Sequence, residues 1–490
     1  MLALQVQTKP QVLFPAGAVA ALLFLAFGWG PNMALVGFAV LVLFMGILLL
    51  WRPGEPPVML LIFALQWLQA STKAINANLQ GLPINSFSTF GGNVELSSYL
   101  SLLGLLLFAL GMNWGSGAWR PELHQHNRYR ALSTASHIWF AYYALALMVS
   151  VVAEALAGAI PGLSQPLLAL AHLRWAFYFM LTFAAFSQPW NTRHFWLIAA
   201  LIEFAMGIGG YFSDFKSVFL YSALGITAAG VRLSLARIAT LAVAIGLTIY
   251  TALLWTAVKG DYRHYVSGGE AAQIVTVDYV ERISYLGNLV SKVDGPVMSD
   301  AVDKLLSRLA YVEFFGAAID YVPRNIDHTR GEIWWDAVKR PFMPRVLFPS
   351  KSEIHDSERT AIFTGIEVSG ADRGTSISIG YMGESYIDFG FVGMMAPVLV
   401  LGYLLGRIYR WLTLSSSLRG LLGTGLACSS LMAFSYMESS ITKVFGGFVA
   451  TLLVIWVFSW MIAPRYLGWL LIREEAAQPV AAPRAPAHLG

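Results

Sequence analysis

The 490-residue chain reads as an all-α, polytopic transmembrane helical bundle, and three observations predict this. Hydrophobic residues make up 57% of it and charged residues only 12%, with mean hydropathy +0.61, a balance suited to lipid rather than to a water-facing globule. Apolar stretches long enough to suggest membrane helices recur twelve times. One charged, water-compatible segment, 259–378, interrupts them and is the place available for chemistry.

About 20 apolar residues, rising 1.5 Å each, cross a hydrocarbon layer of roughly 30 Å. The first stretch, 12–29, is followed at once by 33–51, so it reads as a retained span and not as a removed signal peptide. Next come 57–70, 96–112, 135–159, 165–187, 195–209, 217–230 and 238–258; after the charged segment come 387–407, 420–437 and 444–463. Three of these, 57–70, 195–209 and 217–230, are short, which sets the expected count at ten to twelve, with twelve preferred. The chain then divides into nine helices over 1–258, the segment 259–378, three helices over 379–466 and a tail, 467–490, whose Ala/Pro-rich end reads as disordered.

Lys and Arg in short loops favour the cytoplasmic side. With the N-terminus inside, thirteen cations, among them Lys9, Arg52, Arg120, Arg128, Arg193, Arg237, Arg407 and Arg473, fall in cytoplasmic connections. Only Lys73, Lys216 and Lys443 fall in short outer ones. That asymmetry predicts a chain with both termini in the cytoplasm and 259–378 on the outer side of the membrane. The net charge of +4 largely reflects the loop arginines and carries no nucleic-acid footprint. The single cysteine, Cys428, lies in a span and leaves no disulfide for the outer segment.

The outer segment holds 31 of the chain's 60 charged residues, yet apolar residues recur in it at helical spacing. Val302, Leu305, Leu306, Leu309 and Val312 predict a helix with Asp300 as cap and Pro323 beyond its end; 271–293 predicts another. Such helices would lie on the membrane surface or pack over the bundle. From Arg324 to Lys351, six cations (Arg324, Arg330, Lys339, Arg340, Arg345, Lys351) face three acids. Pro341, Pro344 and Pro349 stiffen that backbone, which can aim long cationic side chains at one anionic target. The plainer alternative is an interfacial loop touching lipid phosphates. Trp334 and Trp335 suit the headgroup level or a sugar face.

Glu384 and Asp388 stand four apart at the start of the 387–407 span, where a helix dipole stabilises carboxylates. They are candidate bases or ordinary first-turn acids. Ionisable residues at membrane depth are functional candidates by default. Arg174 reads either as an anion contact or as the partner of Glu154, Glu203 has no obvious partner, and Lys216 reads as a phosphate contact or a snorkelling lysine. His124 and His126 fall in a cytoplasmic loop and are set aside. No phosphate-binding Gly loop, dinucleotide turn or metal-binding His/Cys pattern occurs, so neither metal nor cofactor is expected and a nucleotide-driven reaction is disfavoured.

Four stretches, in order, carry a resemblance: FSDFKS around Lys216, RLAYVEFF with YVP after it, PFMPRVLFPSK ending at Lys351, and GYMGESYIDFG containing Glu384. In them the second half of the chain resembles the bacterial O-antigen and exopolysaccharide repeat-unit polymerases of Wzy type. The chain departs from that pattern at Ser352, where Pro is frequent, and at Asp388, where Asn is. The resemblance implies a membrane glycosyltransferase that polymerises undecaprenyl-diphosphate-linked oligosaccharide on the outer face. Its partners would be the lipid-linked oligosaccharide, membrane lipid, a flippase and a chain-length regulator.

In that reaction cations stabilise the departing diphosphate and a base takes a proton from the acceptor hydroxyl. Arg340, Arg345 and Lys351 are the expected diphosphate ligands, followed by Lys216, Arg174 and Arg324. Glu384 is the expected base, followed by Asp388, His328 and His355. Three readings compete: an O-antigen ligase, a lipid-linked oligosaccharide flippase or transporter, and a scaffolding membrane protein. A transporter would favour repeated halves around a midplane site, whereas this chain has one asymmetric outer segment.

Overall fold

The computed structural model describes residues 10–118, 121–208, 214–230, 235–269, 275–343, 348, 350–351, 354–370, 376–414, 418, 420–462 and 465. Among them the regular structure is helical. The first four helices, α1 (Pro10–Phe27), α2 (Met33–Leu50), α3 (Val58–Leu79) and α4 (Val94–Ser116), pack on one another. After α5 (Pro121–Ser133) come α6 (Ser136–Ala159), α7 (Ser164–His172), α8 (Arg174–Ser187), α9 (His194–Ile208), α10 (Phe215–Ala228) and α11 (Leu235–Val266). The charged segment folds into α12 (Tyr279–Ser291), α13 (Gly295–Leu309), α14 (Glu313–Tyr321), α15 (Glu332–Lys339) and α16 (Asp356–Thr364). Then follow α17 (Tyr381–Gly393), α18 (Met395–Leu414), α19 (Leu421–Leu431) and α20 (Ile441–Met461).

Each of the twelve apolar stretches coincides with helix, but twelve crossings are not reached on length. Among the described residues, six helical runs are long and apolar enough: α2, α3, α4, α6, α7 with α8, and α20. A seventh is obtained if α17 and α18, bent by 117°, count as one broken span. Val12–Phe27, His194–Ile208, Phe215–Ala228 and Leu421–Phe434 are shorter. The stretch at 57–70 proves longer than its apolar run, because α3 continues for 22 residues through Lys73 and Asn78. Those polar residues are buried by partners from other elements, which hydropathy does not register.

The expected continuous span 387–407 is broken. Gly390 has φ +69° and ψ −171°, a conformation in effect reserved for glycine, and there the chain turns from α17 into α18. Downstream, α18 lies against α4 with almost no gap. A Cβ added to Gly111, Gly115, Gly402 or Gly406 would strike backbone atoms of the facing helix, the nearest contacts including Tyr403 N (2.7 Å) for Gly111 and Ser116 N (2.7 Å) for Gly406. Small residues four apart let helices approach in this way when no water-driven force presses them together.

The charged segment departs from its expected helices in register. The helix predicted around Val302 is capped six residues earlier than expected: Asp294 accepts from Val297 N at 3.0 Å, while Asp300 pairs with exposed Lys304. It stops at Leu309, and Val312 precedes the separate α14, which ends before Pro323. His124 lies in a helix and not in a loop: α5 carries it, half-buried, against Phe183.

One end of the bundle gathers the short-loop lysines. Buried Lys73 pairs with Glu313 of α14, Lys443 with Asp356 of α16 at 2.7 Å, and the Lys216 ammonium sits 4.5 Å over the Tyr436 ring. Arg52, with Glu55, Ser116 and Tyr409, closes the opposite end. The three short-loop lysines thus share one end of the molecule, and Arg52 lies at the other.

Candidate functional site

At the lysine-bearing end, the connection between the 3₁₀ turn Met432–Phe434 and α20 reaches into the bundle. Two glutamines one turn apart on α3 hold it. Gln66 Nε2 donates to Phe434 O (2.6 Å), and Gln69 Oε1 accepts from Met437 N (2.7 Å). Gln66 Oε1 also accepts from the Tyr381 hydroxyl at 2.6 Å, and Tyr381 N donates to Ser439 O at 3.1 Å. This lattice fixes the backbone on both sides of Glu438, whose Oε2 accepts from Gln69 Nε2 at 3.2 Å.

Glu438 is only partly covered, and the charged groups facing it are Arg308 of α13 and Lys216 of α10. Burial raises its carboxyl above the ordinary range, and the two cations oppose that shift. Tyr436, under Lys216, and Tyr311 complete the surroundings; burial pushes the Tyr311 phenol well up, aided by Glu438 and Asp356. A carboxylate that holds its proton unusually well, beside two cations and two phenols, suits proton transfer next to an anion.

Glu384 lies just behind. At 1% exposure it is paired with Arg359 (3.0 Å), and its other oxygen accepts from Ile441 N (2.7 Å). It thus joins α17, α16 and α20, and both its oxygens are engaged. Asp356 beside it pairs with Lys443 and accepts from Ser376 Oγ at 3.3 Å.

Asp388 does not point the same way as Glu384. Its oxygens accept from the Thr329 hydroxyl, from Ile333 N (3.2 Å) and from Trp334 N (2.9 Å). The latter two are first-turn amides of α15, which has no side-chain cap of its own, so Asp388 caps α15 from across the fold. Trp334 Nε1 to Ser385 Oγ (3.0 Å) and His328 Nδ1 with Ile387 O (3.1 Å) fasten the same junction.

No family model matches this chain, and no curated protein or solved structure does either.

The remaining expected residues fall in several places. Arg340 pairs with Asp336 at 2.5 Å, and Lys351 donates to Arg340 O (2.7 Å) and Met343 O (3.0 Å), closing the end of α15. Arg345 lies outside the described residues. Arg324 and His355 are exposed, His355 immediately before α16. Arg174 donates to Ser150 Oγ (2.5 Å) and pairs with Glu154, and its Nε lies 3.3 Å from Glu203. Glu203 also accepts from the Tyr143 hydroxyl at 3.0 Å, so one guanidinium clamps α6, α8 and α9. Of the nine singled-out residues that are described, Lys216 is the one brought to Glu438. Sequence reasoning passed over Glu438, Gln66, Gln69, Arg308 and Tyr436. The available signal was an acid in the same short outer connection as Lys443.

Proposed function

We propose that this chain is a membrane glycosyltransferase that lengthens polysaccharide from lipid-diphosphate-linked oligosaccharides at the outer face of the bacterial inner membrane. In this reading both termini are cytoplasmic, and the shorter apolar helices complete as many as twelve crossings. The observation that carries it is the partly covered Glu438 between Lys216 and Arg308, at the end where the charged segment folds. The acceptor sugar's hydroxyl oxygen attacks the anomeric carbon of the donor. The bond from that carbon to the diphosphate oxygen breaks, and the diphosphate leaves on its lipid. The hydroxyl proton passes to Glu438, while Lys216 and Arg308 meet the charge that develops on the leaving group. Glu384 with Arg359, and Asp388 with Lys351 and Arg340, act by positioning, and Arg345 is a further diphosphate ligand.

The test is polymer formation by purified protein from lipid-linked repeats, without a gradient or nucleotide. Wild type should release the lipid diphosphate as chains lengthen. Glu438→Gln should lower the rate by about 10²–10⁴-fold, the usual worth of a positioned acid–base group. Glu384→Gln and Arg345→Ala at normal protein levels test the two sequence-based assignments. An undiminished ladder from Glu438→Gln removes it as the base; repeats crossing the bilayer with no carrier released would indicate a flippase instead.

A further inference from the structure

Part of the charged segment stands where α18 leaves the hydrocarbon layer short. Ala396, Val400 and Leu404, four apart and exposed, form one stripe down α18. The stripe ends at exposed Arg407 and Trp411, residue types that suit a headgroup boundary. From Arg407 toward the lysine-bearing end, α18 rises only about 18 Å before Met395, where it begins. A hydrocarbon layer is roughly 30 Å deep, so about 12 Å of it remains beyond the bend. The register with α4 gives the same level. Gly111 meets Leu399 and Tyr403, and Gly115 meets Tyr403 and Arg407, so the two helices run side by side in one direction. Met395 then lies about 11 residues, roughly 16 Å, in from Val94, where the spanning helix α4 begins.

What stands beyond the bend is apolar on its outer side. Phe389, Phe391 and Val392 are exposed there, Val392 at 86%. The Phe389 ring lies against Gly331, the residue before α15, and α15 packs on α17 and on the spanning helix α20. Ile333 and Ala337 turn inward from α15 and are buried. The opposite face, continued by the 3₁₀ turn Arg340–Phe342, exposes Trp335 (66%), Val338 and Phe342 (72%), spaced three and four apart. Glu332 and Lys339 border that face, and a lysine so placed can extend its ammonium to the headgroups. Both ends of the element are closed by side chains: Asp388 accepts from Ile333 N and Trp334 N, and Lys351 donates to Arg340 O and Met343 O. Lipid offers no hydrogen bonds, so a helix immersed in it needs such closure.

We propose that α15 and the turn after it are set into the bilayer leaflet at the lysine-bearing end, with Trp335, Val338, Phe342, Phe391 and Val392 against lipid chains. Bilayer lipid is the occupant because this face continues the exposed stripe of α18 and fills the depth that α18 leaves short. The inference concerns where the chain meets the membrane and not the transfer reaction, so it stands if that reading falls.

The experiment places nitroxide labels on single introduced thiols of the full chain in phosphatidylcholine nanodiscs, Cys428 being fully buried. Collision with oxygen, which concentrates in lipid, is compared with collision with a water-soluble nickel chelate. Val400→Cys on α18 is the lipid reference, and Glu358→Cys on α16 the water reference. Trp335→Cys, Val338→Cys and Phe342→Cys should give oxygen-to-nickel ratios severalfold above that of Glu358→Cys and close to that of Val400→Cys. The three positions share one face, so a variant that fails to fold leaves two to decide. Ratios that match Glu358→Cys overturn the proposal. So does poor collision with both reagents, which would mean that protein covers the face. Glu438→Gln, which tests the transfer reaction, should leave these ratios unchanged.

Discussion

Three carboxylates within one end of the bundle have different fates because their neighbours differ. Asp388 is spent on helix amides, Glu384 on a guanidinium and an amide, and Glu438, which accepts from Gln69, is the one of the three that is only partly covered. If Glu438 is the base, it must be ionised to act, so rate should fall as pH drops through its raised carboxyl range. Lys216 opposes the effect of burial, so Lys216→Met should move that acid limb to higher pH, read in a pH–rate profile. The same shift has a stability sign. The native state resists ionising Glu438, so stability drains away as pH rises from the unfolded value through the folded one. Glu438→Gln should therefore melt higher than wild type at neutral pH and level with it in acid. Asp388 offers the contrasting case. Asp388→Ala should cost about 1–3 kcal/mol by stranding the buried Ile333 amide and the half-buried Trp334 amide, whereas Asp388→Asn, which keeps an accepting oxygen, should retain most stability and activity. A catalytic Asp388 would instead lose its activity in the Asn variant. Sequence reading found the right end of the right helix at Glu384 and Asp388. It could not rank them, because rank depends on partners 25 residues away for Arg359 and 54 away for Trp334. The Glu154–Arg174 pair was legible from two opposite charges on neighbouring spans; the Glu203 contact was not, since nothing local places α9 beside α8.

At the scale of elements, apolar runs located all twelve helical stretches but misjudged where helices bend and how far they extend. The reason is that apolarity reports burial in lipid or protein alike, while a bend is decided by one glycine dihedral. Gly390 turns the chain by 117° and so frees α17 to sit as a buried polar junction while α18 pairs with α4. Placing alanine there should cost about 1–3 kcal/mol, because φ +69° with ψ −171° suits glycine almost alone. Gly406→Leu should be worse, since its side chain would enter the backbone of α4 at Met112 and Ser116. Thermal melting of the detergent-purified variants ranks them, and a leucine tolerated at 406 would mean that α4 and α18 do not meet as described. The Gly111–Gly115 and Gly402–Gly406 spacings stood in the sequence as the signal for this contact. Gly390, close to Glu384, serves instead to bend the chain and not to pack.

At the scale of the molecule, charge sorting and packing agree without having shared an origin. Loop arithmetic separated three lysines from the arginine-bearing connections, and the folded chain sets Lys73 and Lys443 against the charged segment and Lys216 over Tyr436 at the same end, while Arg52 closes the far end. Which end faces the cytoplasm depends on a membrane and its insertion machinery, so it has to be read with a label in cells. Cys428 is fully buried and is the chain's one cysteine, so it should stay silent to a membrane-impermeant maleimide in the folded protein. Introduced thiols at exposed Glu358 of α16 and exposed Ser133 of α5 then report the two ends separately. If arginine-rich loops remain inside, Glu358→Cys should label in intact cells and Ser133→Cys only after the membrane is opened. The reverse pattern would put Glu438 and its cations in the cytoplasm, away from exported lipid-linked sugars, and the transfer reaction proposed for them would have no substrate there.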